Sequence, residues 1–167
     1  MTMGLSTLLY ARGERGKCVD GNCRNGHGTC TWKDGGTYTG DFAKKMKNGQ
    51  GVFTWPDGST YSGQWKDDVK HGKGTYRWAN GSSYEGEWQN DRMNGLGKFT
   101  YTDGSVYEGQ WMDDIRQGQG SFTWTNGDKY TGQWNNDKRE GQGKFLWHDG
   151  SVYEGQWREN RMEGQGR

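Results

Sequence analysis

One interval governs this chain. A tyrosine followed two residues later by glycine stands at Tyr38, Tyr61, Tyr84, Tyr107, Tyr130 and Tyr153, and every step is 23 residues. A glycine pair, G-x-G, keeps the same step, from Gly26 and Gly28 through Gly164 and Gly166. No insertion breaks the register. A fixed period of this length is the mark of a stacked-repeat architecture, in which each unit is too small to bury its own apolar face.

Within a unit the alternation has period two. In "YSGQW", Tyr61, Gly63 and Trp65 point one way, and Ser62 and Gln64 the other. In "GKGTYRW", Gly72, Gly74, Tyr76 and Trp78 share a face opposite Lys73, Thr75 and Arg77. "KDDVKH" lies between them, and the "ANGSS" stretch that follows is a tight-turn signal. Glycine inside each element and the absence of a 3.6 period speak against helix. Each unit therefore reads as a hairpin with one aromatic-plus-glycine face and one polar face. The glycines act as a floor on which a neighbouring ring lies.

This pattern decides what the composition means. Only 28% of the chain is hydrophobic, which would suggest disorder, yet it holds 10 Trp and 9 Tyr. A core built from such rings is aromatic and thin. The net charge is +1, with the two signs interleaved, so no basic stripe points to nucleic acid. The sequence shows no apolar run of membrane-spanning length and no signal peptide, and it favours the cytoplasm, with a membrane-associated or cytoskeletal site as the other reading.

The expected fold is all-β: an elongated single-sheet solenoid of stacked antiparallel β-hairpins. Residues 1–16 form a non-repeat segment, 17–37 a half repeat, and 38–167 the array, its last unit stopping at "GQGR". A cut array or self-association, through array ends or as a dimer, is expected from that stop.

The combined pattern "YEGxW…GxGxxxWxDG" resembles the MORN (membrane occupation and recognition nexus) repeat, from about Gly26 to Gly166. One departure is systematic. Where the family often has glycine in the turn after the tryptophan, this chain has Asp68, Asp91, Asp114, Asp137 and Asn160, with Lys45 in the first unit. Asp and Asn tolerate left-handed turns and Lys does not. The resemblance implies an extended stack of hairpins serving as a scaffold or interaction module. It implies a protein partner, a peptide or amphipathic helix, held along a groove, and the family's name adds peripheral contact with a membrane as a further expectation.

No catalytic constellation is visible, and no cofactor is called for. His27, His71 and His148 lie in different units without a shared motif. "GQG" and "GKG" are not phosphate loops, because no strand-to-helix junction follows. The chain is therefore read as a non-enzyme. The aromatic face is mostly core, and its functional reading is a partner-binding groove with Tyr84, Trp88, Tyr107, Trp111, Tyr130 and Trp134 as the central stretch. The alternatives are a carbohydrate- or choline-type binding module, since aromatic platforms suit sugars and quaternary ammonium groups, and the targeting region of a larger enzyme.

The cysteines compete for attention. Cys18, Cys23, His27 and Cys30 spell C-x4-C-x3-H-x2-C. Cys30 falls on the aromatic face and His27 on the polar face, so a sheet holds them apart and no metal site is assigned. "CVDGNC" reads as a hairpin that Cys18 and Cys23 could close as a disulfide in an oxidising compartment. In a reducing one all three cysteines are thiols.

Overall fold

The structure, a computed structural model, describes residues 16–164. Most of the non-repeat segment, and Gln165–Arg167 of the final "GQGR", lie outside them. The chain divides into two compact units, Met1–Ala79 and Asn80–Arg167.

The first unit is a single antiparallel sheet of six strands: β1 (Lys17–Gly21), β2 (Gly26–Thr31), β3 (Thr37–Ala43), β4 (Met46–Thr54), β5 (Thr60–Lys66) and β6 (Val69–Arg77). The second unit continues the pattern with β7 (Ser83–Gln89), β8 (Arg92–Thr100), β9 (Val106–Met112), β10 (Ile115–Thr123), β11 (Lys129–Asn135), β12 (Lys138–Leu146), β13 (Val152–Arg158) and β14 (Arg161–Glu163). In each unit the strands lie in sequence order. Helix is absent among the described residues. The all-β architecture of stacked hairpins expected from the period is the one present.

The second strand of each repeat starts earlier than the sequence pattern suggests. "KDDVKH" is not a loop of its full length: β5 ends at Lys66 and β6 begins at Val69. The turn is two residues, Asp67 and Asp68, with φ of 48° and 72°. Both angles are positive, the type I′ geometry whose twist matches that of a hairpin. Asn90–Asp91, Asp113–Asp114, Asn136–Asp137 and Glu159–Asn160 repeat it, and so does Lys44–Lys45 at 52° and 68°.

The systematic Asp or Asn in these turns has a second role. The Asp137 carboxylate accepts from the backbone N–H of Arg116 at 3.0 Å, and its own N–H donates to the Arg116 carbonyl at 3.2 Å. Asp68 does the same to Lys47, Asp114 to Met93 and Asn160 to Arg139. Each turn thus staples itself to the preceding repeat, which glycine could do only through its backbone. Lys45 keeps the backbone bond, donating to the Arg24 carbonyl at 2.9 Å.

The longer second strand absorbs its extra residues as a bulge. Between β5 and β6 the register shifts between Gly63 and Trp65, and Gly72 takes φ of 58°. The Lys73 N–H then has no facing carbonyl and donates instead to Gln64 Oε1 at 2.9 Å. Gln110 and Gln133 serve the N–H groups of Gln119 and Gln142 in the same way. The glutamine of "YxGQW" is therefore a structural acceptor rather than a solvated face residue.

Candidate interaction face

The aromatic layer is built on its glycines. A Cβ added at Gly97 would lie 2.4 Å from Tyr84 Cζ, one at Gly120 2.3 Å from the Tyr107 hydroxyl, and one at Gly143 2.5 Å from the Tyr130 ring. Only a bare backbone admits the ring. The tyrosine hydroxyls donate to the carbonyls of Glu87, Gln110 and Gln133. Burial raises the pKa of Tyr84 and Tyr107 strongly and pushes Tyr130 up to about 12.

The tryptophans interlock with these rings edge-on. Trp111 meets Tyr84 at 5.5 Å and Tyr107 at 5.0 Å between centroids, both near perpendicular. Trp134 meets Tyr107 and Tyr130 in the same manner. The Trp111 and Trp134 indole N–H groups donate to the carbonyls of Gly97 and Gly120. The six residues picked from the sequence are thus brought together in one layer, and all six are buried. Tyr84, Tyr107 and Tyr130 are 0% exposed, and Trp88, Trp111 and Trp134 are 4–6% exposed. Their physical work is to cover the sheet: each tyrosine seals a glycine on the facing strand of its own hairpin, and Trp111 and Trp134 reach back over the preceding hairpin. The ring over each floor glycine is therefore not the neighbouring one expected from the sequence.

What the layer leaves more open is a second row, the aromatics of the second strand of each repeat, which the groove assigned from the sequence does not include. Phe99, Tyr101, Phe122, Trp124, Phe145 and Trp147 form a ladder of tilted rings with centroids 4.5–5.6 Å apart. Tyr101, Trp124 and Trp147 are half-buried.

Cations lie between the two rows. The Arg116 guanidinium sits 4.5 Å from the centre of the Trp134 ring and 5.8 Å from that of Phe122, and Arg139 sits 4.4 Å from Trp157 and 5.7 Å from Trp124 and Phe145. In the first unit Lys47 lies 4.6 Å from Trp65, and Lys70 lies 4.8 Å from Tyr76. Lys47 and Lys70 are buried. A desolvated cation over an aromatic face contributes about 2 kcal/mol. These side chains come from the stretch between the two strand segments of each unit, where Lys70 lies in "KDDVKH". The signal was Met93, which occupies the same place in the period and is also buried: a slot that takes methionine is apolar.

The histidines build no common site. His27 pairs with Asp41 at 3.0 Å and His148 with Asp128 at 3.0 Å, both at exposed positions that tie neighbouring segments. The His27 and Gln50 hydrogen bonds hold the Asp41 carboxyl below its usual range. A shallow open cleft of about 510 Å³ lies beside Asp41, lined by Asn48, Gln64, Trp65, Asp67 and His71 among others.

At the start of the described chain, β1 and β2 pair with Cys18 opposite Cys30. A disulfide joins Cys18 to Cys23, and Cys30 is a buried free thiol.

Repeats of this geometry can be matched against known families. The MORN repeat matches at residues 24–37, 38–60, 61–83, 84–106, 107–129, 130–152 and 153–167. The chain belongs to the MORN repeat family. No curated protein matches it. Among solved structures, this MORN array is similar to the wild-type TCP10 domain of Danio rerio CPAP, with a TM-score of 0.49 and 10% identity over 85% of this chain and 67% of that one. It is also similar to the TCP10c domain of Drosophila melanogaster Sas-4, with a TM-score of 0.49 and 9% identity over 84% and 85%. The Drosophila SAS-4 TCP domain in complex with a Proline Rich Motif of Ana2 gives 0.43 and 8% over 83% and 88%. Among the described residues of the MORN chain no helix is long and apolar enough to cross a membrane.

Proposed function

We propose that this MORN array is a non-catalytic interaction module that holds a protein segment, extended or helical, across successive repeats of its aromatic layer. The supporting observation is the ladder from Phe99 to Trp147: it repeats with the sequence, leaves Tyr101, Trp124 and Trp147 half-buried, and has the Arg116 guanidinium 5.8 Å from the Phe122 ring and that of Arg139 5.7 Å from Trp124 and Phe145. Tyr84, Trp88, Tyr107, Trp111, Tyr130 and Trp134 are the base of that surface. They act by fixing the height and tilt of the rings a partner meets.

Half-exposed tryptophan beside arginine is the composition of a binding hot spot. A segment with apolar side chains would seat them on the open ring faces, and its carbonyls or carboxylates would meet the guanidiniums.

The test is quantitative pull-down of a cross-linked partner with Trp124→Ala and Trp147→Ala. Both are half-buried, and circular dichroism checks that each variant keeps the sheet. Recovery is expected to fall about 10-fold, while Gln119→Ala on the polar face leaves it unchanged. Equal recovery from the tryptophan variants would overturn the reading. Quenching of tryptophan fluorescence by choline or a glycan, with no protein partner recovered, would replace it with small-ligand binding.

A further inference from the structure

The sulfur atoms of Cys18, Cys23 and Cys30 all lie within 4.8 Å of one another. The sequence reading dismissed a metal because His27 and Cys30 face opposite ways. His27 does turn away, toward Asp41. The three cysteines converge without it. Cys18 and Cys30 are direct partners in the β1–β2 ladder, and the turn Gly21–Asn25 brings Cys23 back over the same spot. A Cβ on Gly28 would meet Cys23 Sγ at 2.9 Å, so Cys23 rests on bare backbone beneath the cluster.

We propose that, once the Cys18–Cys23 disulfide is reduced, Cys18, Cys23 and Cys30 bind one thiophilic d10 cation, with Zn(II) as the probe. The spacing fits: Cys18-x4-Cys23 lies within the range of paired zinc ligands, and Cys30 enters from the facing strand. The dimensions fit as well. With Zn–S near 2.3 Å, thiolates around one zinc stand about 3.8 Å apart. Opening the disulfide lets two sulfurs separate to that distance while the third is already inside the 4.8 Å cluster. Three protein ligands leave a fourth position for solvent, which reaches the site past exposed Cys18.

Reduction balances as one S–S bond broken by two electrons and two protons, supplied by a dithiol that becomes a disulfide, giving the thiols of Cys18 and Cys23. Binding then displaces three protons, one from each cysteine. Three thiolates and Zn(II) carry one net negative charge. The Lys47 ammonium opposes it, and its field already offsets part of the rise that burial imposes on the Cys30 thiol.

The experiment uses the full chain, reduced and freed of reductant without air, then titrated with Zn(II) against a chromophoric chelator. One zinc per chain is expected by native mass spectrometry, with alkylation of all three thiols slowed when zinc is present. Cys23→Ser and Cys30→Ser should each weaken binding by at least about 10-fold, the lower bound for disturbing a zinc site, and His27→Ala should bind as the unaltered chain does. No uptake by the reduced chain, one zinc shared between two chains, or unweakened binding by Cys30→Ser would each overturn the proposal. None of these outcomes bears on partner docking, which concerns the second unit.

Discussion

Two hairpins of this molecule solve the same problem with different chemistry. In β9–β10 both strands bury rings: Tyr107 and Trp111 on one, Phe122 on the other. In β1–β2 the first strand is exposed along its whole length, and no ring stands on it. Yet the floor is there. Gly120 lies under the Tyr107 ring, and Gly28, at the equivalent place in the period, lies under the sulfur of Cys23. A hairpin is only marginally stable alone. Where a ring of the facing strand covers the glycine, packing holds the pair together. At β1–β2 a short covalent loop and a sulfur cluster do so. The comparison teaches that the repeat is defined by its bare floor more than by what covers it.

Alkali should sharpen that contrast with the largest effect. The tyrosines that cover the floors have folded pKa values raised above the ordinary value near 10, Tyr130 to about 12. A group whose pKa rises on folding contributes stability that is fully present below its unfolded pKa and is lost as pH climbs through the folded one. The tyrosine-covered hairpins are therefore expected to unfold between about pH 10 and 12. Tyrosinate absorbance and loss of the sheet signal should coincide. Tyrosinate appearing stepwise with the sheet intact would break the comparison.

Next in size is the floor itself. Gly120→Ala puts a methyl 2.3 Å from the Tyr107 hydroxyl and is expected to cost about 3 kcal/mol, the upper end for overpacking a core. Gly28→Ala meets one sulfur and the turn backbone at 2.9 Å or more, and should cost less in global stability while loosening the β1–β2 hairpin. Denaturant midpoints for the two variants measure the difference, and equal losses would show that the two floors are not distinguished by their covers.

The smallest effect concerns the turns. Lys44 and Lys45 hold positive φ where later repeats use Asp or Asn. Lys45→Asn is expected to stabilise by about 1 kcal/mol by relieving the left-handed strain. A thermal midpoint that falls instead would show that the Lys45 side chain has a role of its own.

The period made the fold legible, because a strict 23-residue step with period-two alternation leaves few alternatives to stacked hairpins. The face on which each aromatic lies was legible too. What alternation could not tell is whether that face is open. Tyr107 and Trp111 looked like groove residues because no second layer was in view, but the rings cover their own sheet. Arg116 and Arg139 were misread because charge usually marks solvent, and only their alignment with Met93 betrayed an aromatic slot. The glutamine at Gln110 read as polar surface because its role, filling a bulge, exists only once two strands of unequal length are paired. The sulfur cluster escaped for a similar reason: Cys23 reaches Cys30 through an irregular turn that no period describes.

The stapled, glycine-floored register has a consequence for how such a chain can change in length. Inserting one residue in β9 would send Tyr107 and Trp111 to the polar face and strand every ring that leans on them. Inserting a whole repeat would leave each ring over a glycine, and each turn carboxylate on the backbone before it, as they now stand. The reach of this protein is therefore quantised: it can grow or shrink by whole repeats, and hardly at all in between.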